Sequence, residues 1–415
     1  MPPLTLWFIW RRNPGMPVTN LLQHLAQALP DVAVEAGTVP STELKSKLLD
    51  AVRQRSLPDV FLIKSAWIRD LGGEENLADL APLAAADGVV PAELLQTHDY
   101  RRGLYQGKLL CLPATSSRAT SLLFIYKALL ERFGLESRVR LANWDEFTAA
   151  SRHWVERANQ PGNLEFIALD PFVGSGMVIH SSLALGLGAP TISADGKRSQ
   201  LDSPGSLRVA RALDRYVEEV YRAFGGYRAL LQFRYRFAGQ YGQPTFYGRP
   251  YPHSFANISA AGTIGVYQQL GVPAAQLIVQ PVPGIERLHG GILSHGWSYA
   301  MNRYSARRAD TWRVLRFLTL DPAGAGQFCL DYRRPAHLRA IGDADYVKIV
   351  GDIWNGVKEA MDLDIPYPAS VEDEFLRLHL YAVPMRRLQG ESIEEIFRDL
   401  NAKYQTYLDG NSPAL

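Results

Sequence analysis

Leu4-Thr-Leu-Trp-Phe-Ile9 is an apolar run of strand length, followed by an amphipathic stretch from Val18 to Leu29. A short Val32-Ala-Val34 run, a second helical stretch from Glu43 to Arg55, and Pro58-Asp-Val-Phe-Leu-Ile63 come next. Strand, helix, strand, helix, strand with short connections predicts a parallel, doubly wound sheet. Ligands of such sheets bind beyond the carboxyl ends of the strands. Here those ends carry Trp10-Arg11-Arg12 and Lys64-Ser65-Ala66-Trp67. Polar, charged and aromatic groups, in place of a catalytic pair, are what a receptor for a polar small molecule needs.

The chain has 415 residues, 47% of them hydrophobic, enough for an ample core in two or three domains. A formal net charge of +2 argues against a dedicated nucleic-acid binder, whose basic charge is concentrated. No apolar stretch reaches the length of a membrane span. Met1-Pro-Pro enters the first strand almost at once, with no charged n-region, apolar h-region or cleavage site. Two expectations stay open: a cytosolic protein, or a sequence from which a leader has been cut. Cys111, in Leu109-Leu-Cys-Leu112, reads as a core thiol, and with Cys329 as its only companion there is no disulfide framework. A bridge between the two is left open.

Further along, strands are predicted at Leu109–Leu112 and Ser121–Tyr126, with Ala114-Thr-Ser-Ser-Arg118 as a small polar crossing segment between them. Helix 127–133 is closed by Gly134, and Asn143-Trp-Asp-Glu146 has the spacing of a capping box. Helices follow over about 173–187 and 207–224, and strands at 277–283 and 297–301. A helix over 309–318 leads into a mainly helical remainder. From Tyr227 to Phe255 aromatics and arginines interleave. Stacking rings and phosphate-binding arginines could serve RNA, but proline and glycine break the run and no face is basic. Filling of a seam between two lobes is the stronger account.

Motifs for chemistry fail their context tests. Gly186-Leu-Gly188 ends a helix where a dinucleotide loop follows a strand. Val173-Gly-Ser-Gly-Met177 lacks the first glycine of a nucleophile elbow. The nine histidines show no metal-ligand spacing. The expectation is a protein with no catalytic residue, no metal and no cofactor.

Six segments in order resemble the extracellular solute-binding proteins of ABC importers, in particular the family that includes maltose- and other sugar-binding proteins. They are Pro58-Asp-Val-Phe61, Gly107-Lys-Leu-Leu-Cys-Leu-Pro113, Leu123-Phe-Ile-Tyr-Lys127, Trp144-Asp-Glu-Phe147, Gly290-Gly291 with the helix from Ala309 to Leu318, and Gly390-Glu-Ser-Ile-Glu-Glu395. The chain departs from the pattern in three places. Asn is missing before Lys127, Tyr247-Gly-Arg-Pro-Tyr-Pro-His253 replaces a Gly-Lys-Ala-Ala-Met segment, and no tryptophan stands near Gly262-Thr-Ile-Gly265. Those positions lie near the ligand in the family.

The resemblance implies a two-lobed α/β fold, each lobe a mainly parallel sheet flanked by helices. Lobe 1 is expected over 1–113 plus 284–320 and lobe 2 over 118–279 plus 321–415, with hinge segments near 113–118, 280–284 and 320. The implied function is capture of a mono- or oligosaccharide or glycoside in the inter-lobe cleft and delivery to a membrane permease. The protein would act as a monomer in the periplasm or cell exterior, with a leader removed. Candidate ligand contacts are Trp10, Arg11, Lys64, Ser65, Trp67, Ser116, Ser117, Arg118, Tyr247, Thr263, Gly291 and Trp297. Indoles suit the C–H faces of sugars, and the polar groups suit hydroxyls. Because Arg11, Arg12, Lys64 and Arg118 are expected to cluster in cleft loops, a uronate or sugar phosphate is the second option. An enzyme or regulator on the same lobes is a third.

Overall fold

The computed structural model describes residues 2–9, 17–40, 43–116, 121–173, 179–238, 253–259, 264, 272–289, 297–327, 336–341, 353–363 and 374–409. The chain divides into two compact units, Met1–Ser117 with His295–Val350, and Arg118–Ser294 with Gly351–Leu415.

The first unit is built on a five-stranded sheet in the order Val34–Thr38, Leu4–Phe8, Val60–Lys64, Trp297–Met301, Leu112–Pro113. The first three strands are parallel, as the opening of the sequence predicts, and Trp297–Met301 runs antiparallel to both of its neighbours. Burial follows position in the sheet. Val60 to Ile63 are all buried, because a central strand is covered on both faces. Leu4, Leu6 and Phe8 are buried while Thr5 and Trp7 are half-buried, the period-2 alternation of a strand with one apolar face. The edge strand is Val34–Thr38, displaced from the predicted Val32-Ala-Val34 run; its glutamate, glycine and threonine hide it from an apolar search. Helices Pro17–Ala28, Leu44–Arg53 and Arg308–Leu320 belong to this unit. Leu21, Leu25, Leu44, Leu48, Leu315 and Leu318 join the sheet residues in its core.

The second unit has a four-stranded sheet ordered Leu288–His289, Leu277–Pro283, Leu122–Tyr126, Ala256–Ser259. Every pairing in it is antiparallel, so the expectation of a mainly parallel sheet in each lobe is corrected here. A strand buried on both faces is an apolar run in either direction, so its sequence does not record its orientation. The helices Trp144–Ala158, Ile179–Gly186, Pro204–Tyr221 and Ile393–Leu408 belong to this unit. Asn143 accepts the Glu146 N–H at 2.9 Å, and the Glu146 carboxylate accepts the Ala142 N–H at 2.8 Å. Ser392 and Glu395 form a full capping box on the last helix. Gly134 takes φ +66° where the 127–132 helix ends, a left-handed turn that side-chain-bearing residues resist.

The aromatic run read as seam-filling starts as a helix, Tyr227–Ala238. Tyr227, Leu230 and Phe233 point from it into the second unit's own core, at the spacing of one helix face.

The division of the chain differs from the expected lobe boundaries in two stretches. Residues 284–289 stay with the second unit, since Leu288 and His289 pair with Pro283 and Val282. Residues 321–327 and 336–341 stay with the first. The helix Pro322–Gln327 packs on Pro17–Ala28, the Gln96 N–H donates to the Ala336 carbonyl, and Leu95 bridges His337.

Candidate ligand-binding site

At the carboxyl end of Val60–Lys64 the backbone leaves the sheet and winds into a short 3₁₀ turn, Ser65–Trp67. The antiparallel register sets Trp297 directly opposite Lys64. Four residues chosen from the sequence, 64, 65, 67 and 297, are thereby gathered at one corner of the first unit. The Trp67 and Trp297 rings meet edge-to-face at 84°, with centroids 5.7 Å apart. The Lys64 ammonium lies 5.5 Å from the Trp67 centroid and 5.9 Å from that of Trp297. Trp67 is 2% exposed and backs the ring of Trp297, which is half-buried, as is Lys64. The Ser65 side chain is buried, and its hydroxyl has no hydrogen-bond partner among the described residues.

Ser116 reaches the same corner through the backbone. The N–H groups of Ala114 and Thr115 both donate to the Trp297 carbonyl, at 2.8 and 3.2 Å. Ser116 follows directly, and its hydroxyl accepts from Gln96 Nε2 at 3.4 Å. Gln96 and Thr115 are buried polar residues that the sequence reading passed over. Gln96 had one usable signal, a long amide placed directly after the apolar Leu94-Leu95. The remaining candidates, Trp10, Arg11, Ser117, Arg118, Tyr247, Thr263 and Gly291, lie outside the described residues.

Cys111 is buried and its thiol is pushed up to about 11 by desolvation, against a hydrogen bond from Ser298. It therefore stays protonated and is no nucleophile at neutral pH. Burial also draws the Arg102 guanidinium down, opposed by the charge of the buried Asp99. Among the described residues no group of three or more His, Cys, Asp or Glu side chains could hold a metal ion. No helix there is long and apolar enough to cross a membrane. What the corner offers is an indole ring, an ammonium and a hydroxyl: binding groups for a small amphipathic molecule.

Residues 18–325 match the family model described as bacterial extracellular solute-binding protein. Among solved structures, the fold is similar to that of an ABC substrate-binding protein from Listeria monocytogenes in complex with cycloalternan, with a TM-score of 0.76, 15% identity and 99% of each chain covered. It is similar also to the sugar-binding protein MalE from the phytopathogen Xanthomonas citri, at TM-score 0.72 and 18% identity over 99% of this chain and 98% of that one. UgpB from Mycobacterium tuberculosis in complex with glycerophosphocholine gives a TM-score of 0.73 at 14% identity, with 99% of each chain covered. Identities this low carry the fold alone. No curated protein matches the chain.

Proposed function

The chain belongs to the bacterial extracellular solute-binding proteins, and we propose that it captures a carbohydrate and hands it to the membrane permease of an ABC importer. The ligand class is a mono- or oligosaccharide or a glycoside. The observation that carries this reading is the Trp67–Trp297 pair at the carboxyl end of a central strand. A sugar ring has an apolar C–H face that gains from covering an indole, and hydroxyls that need directional partners at its rim. Trp297 supplies the first, and Ser65 and Ser116 lie beside it for the second. Saccharides bound by proteins of similar fold support the same class.

In this reading the two units close over the ligand by a hinge motion, and the closed form is what the permease recognises. Capture involves no bond-breaking step. The protein works as a monomer in the periplasm or at the cell exterior, and nucleic acid has no part in it.

The test is a thermal-shift and calorimetric screen of the full chain against mono- and oligosaccharides, polyols and glycosides. A true ligand raises the melting temperature by mass action and lowers the radius of gyration in small-angle scattering. Recovery of the bound sugar unchanged after long incubation is expected; its conversion to a new product would replace the receptor by an enzyme.

A further inference from the structure

Resting on the carbohydrate-receptor reading, we propose that Ser65 is a specificity-determining residue of the site. Its hydroxyl meets one unsubstituted hydroxyl of the sugar stacked on Trp297, and the site thereby selects against sugars that lack that group. Ser65 opens the 3₁₀ turn Ser65–Trp67, directly after the last residue of the central strand. The turn is closed through the backbone, where the Ile68 N–H donates to the Ser65 carbonyl at 3.2 Å. The side chain is 5% exposed, and its Oγ is a buried polar atom with no hydrogen-bond partner among the described residues. Buried hydroxyls are normally paired, because an unpaired one has given up water and gained nothing for it.

A ligand at this corner accounts for the exception. Trp67, at the far end of the same short turn, backs the half-buried ring of Trp297 at 5.7 Å between centroids. A sugar lying on that ring covers it with a C–H face and carries its hydroxyls along the rim. A serine hydroxyl both donates and accepts, so it can pair with a sugar hydroxyl of either orientation. Turning about its one side-chain torsion to meet the ligand breaks no existing hydrogen bond. Ser65 has also lost its water on folding, so the new bond forms without a second desolvation of that group. A deoxy sugar gains nothing there, which is how a site made for a hydroxyl rejects the analogue without one.

Calorimetry with the full chain takes glucose, mannose, galactose, maltotriose and mannotriose as probes. The tightest binder is carried on with its monodeoxy analogues, one for each hydroxyl, on the unaltered protein, Ser65→Ala and Ser65→Cys. Ser65→Ala is expected to bind the parent sugar about ten-fold more weakly. Ser65→Cys fills the space with a weak donor and should lose affinity likewise. One monodeoxy analogue should lose as much on the unaltered protein and lose no more on Ser65→Ala. Without ligand, the melting temperature of Ser65→Ala should be unchanged or higher, since an unpaired buried hydroxyl has gone. Unchanged affinity in Ser65→Ala overturns the proposal and leaves the carbohydrate receptor standing. So do losses that add in Ser65→Ala for every analogue, and so does full affinity in Ser65→Cys, which would make packing the cause. A lowered melting temperature with the ranking of the analogues unchanged assigns the hydroxyl to the protein's own structure and overturns it too. A panel in which no saccharide binds overturns the carbohydrate reading, and this inference with it.

Discussion

Asp59 and Thr5 hold each other through three hydrogen bonds across neighbouring strands. The Asp59 carboxylate accepts the Thr5 N–H at 2.8 Å and its hydroxyl at 3.0 Å, while the Asp59 N–H donates to Thr5 Oγ1 at 2.9 Å. Ser305 Oγ donates to the second carboxylate oxygen, and the Asn302 N–H donates to the Asp59 carbonyl. The acid of the Pro58-Asp-Val segment therefore ties together two strand starts and the exit from Trp297–Met301. Lys64 stands at the opposite end of the same strand. The Pro58-Asp-Val segment thus serves the scaffold, and the candidate ligand groups stand elsewhere.

Asp59→Ala should accordingly lower stability and leave ligand affinity alone. Hydrogen bonds to a charged group contribute about 1.5–3 kcal/mol each, and water will replace part of them at this half-buried site. The expected loss is roughly 2–3 kcal/mol in urea denaturation. A change in affinity without a change in stability would contradict the scaffold role.

Arg234 and Asp170 form a bidentate pair in the second unit at 2.6 and 2.8 Å, with side chains only 2% and 4% exposed. Arg234 also donates to the Tyr381 carbonyl at 2.8 Å, and its guanidinium lies 4.5 Å from the Tyr381 ring centroid. Removing one partner strands the other as a buried charge, so Arg234→Met should cost about 3–5 kcal/mol. The double variant Arg234→Met/Asp170→Leu should recover much of that loss, because it removes both desolvated charges. A double variant no more stable than the single one would show that the pair, and not the stranded charge, carries the energy.

The strands that open the first unit and several helix ends of the second were legible because their signals are local. Leu4 to Phe8 and Val60 to Ile63 are apolar enough to be read as strands, and Asn143, Ser392 and Gly134 carry the chemistry of helix ends. Strand direction in the second unit was not legible. The chain runs from Tyr126 through several helices before Ala256 pairs back, and burial of both faces erases any pattern that would distinguish the pairings. Arg234 was hidden for a different reason. An arginine in an aromatic, arginine-rich run reads as surface, and only the distant Asp170 makes its burial tolerable. At the candidate site, Lys64, Ser65, Trp67 and Trp297 were chosen from their place at strand ends, and the fold brings them to one corner. Gln96 was missed because its tie to Ser116 spans loops with no periodicity.

His180 makes the second unit acid-sensitive. Its Nε2 meets the Ser206 carbonyl at 3.0 Å, its ring packs 4.6 Å from Phe397, and Nδ1 is buried with no hydrogen-bond partner among the described residues. Desolvation pulls its pKa from 6.5 to about 4, partly opposed by the Ser206 hydrogen bond. Between those values the unfolded chain takes up a proton that the folded one refuses, so stability falls as pH drops through this window. Roughly 3 kcal/mol is at stake at the bottom of it. His253 and His337 are also lowered and act in the same direction. The contribution of His180 is therefore the difference between the chain and its His180→Gln variant in urea midpoints at pH 7 and pH 4. Parallel pH curves for the two proteins would refute it.

The two tryptophans at the candidate site should separate binding from stability. Trp297 is half-buried: its ring meets Trp67 and Lys64, and its carbonyl accepts the Ala114 and Thr115 N–H groups. Trp297→Ala keeps those bonds and removes the ring, so ligand affinity should fall by roughly 1–3 kcal/mol, as for other aromatic stacking platforms. Its melting temperature should fall less than that of Trp67→Ala, because less of its ring is buried. Trp67 lies edge-on behind that ring at 2% exposure, so Trp67→Ala opens a cavity and should cost about 3–5 kcal/mol of stability. Trp67→Phe fills most of the space and can still present an edge, so it should keep most of the stability and the affinity. Calorimetric affinity and melting temperature measured on all three variants decide the assignment. If Trp297→Ala lowers the melting temperature as Trp67→Ala does and leaves affinity unchanged, Trp297 is core and the sugar platform lies elsewhere.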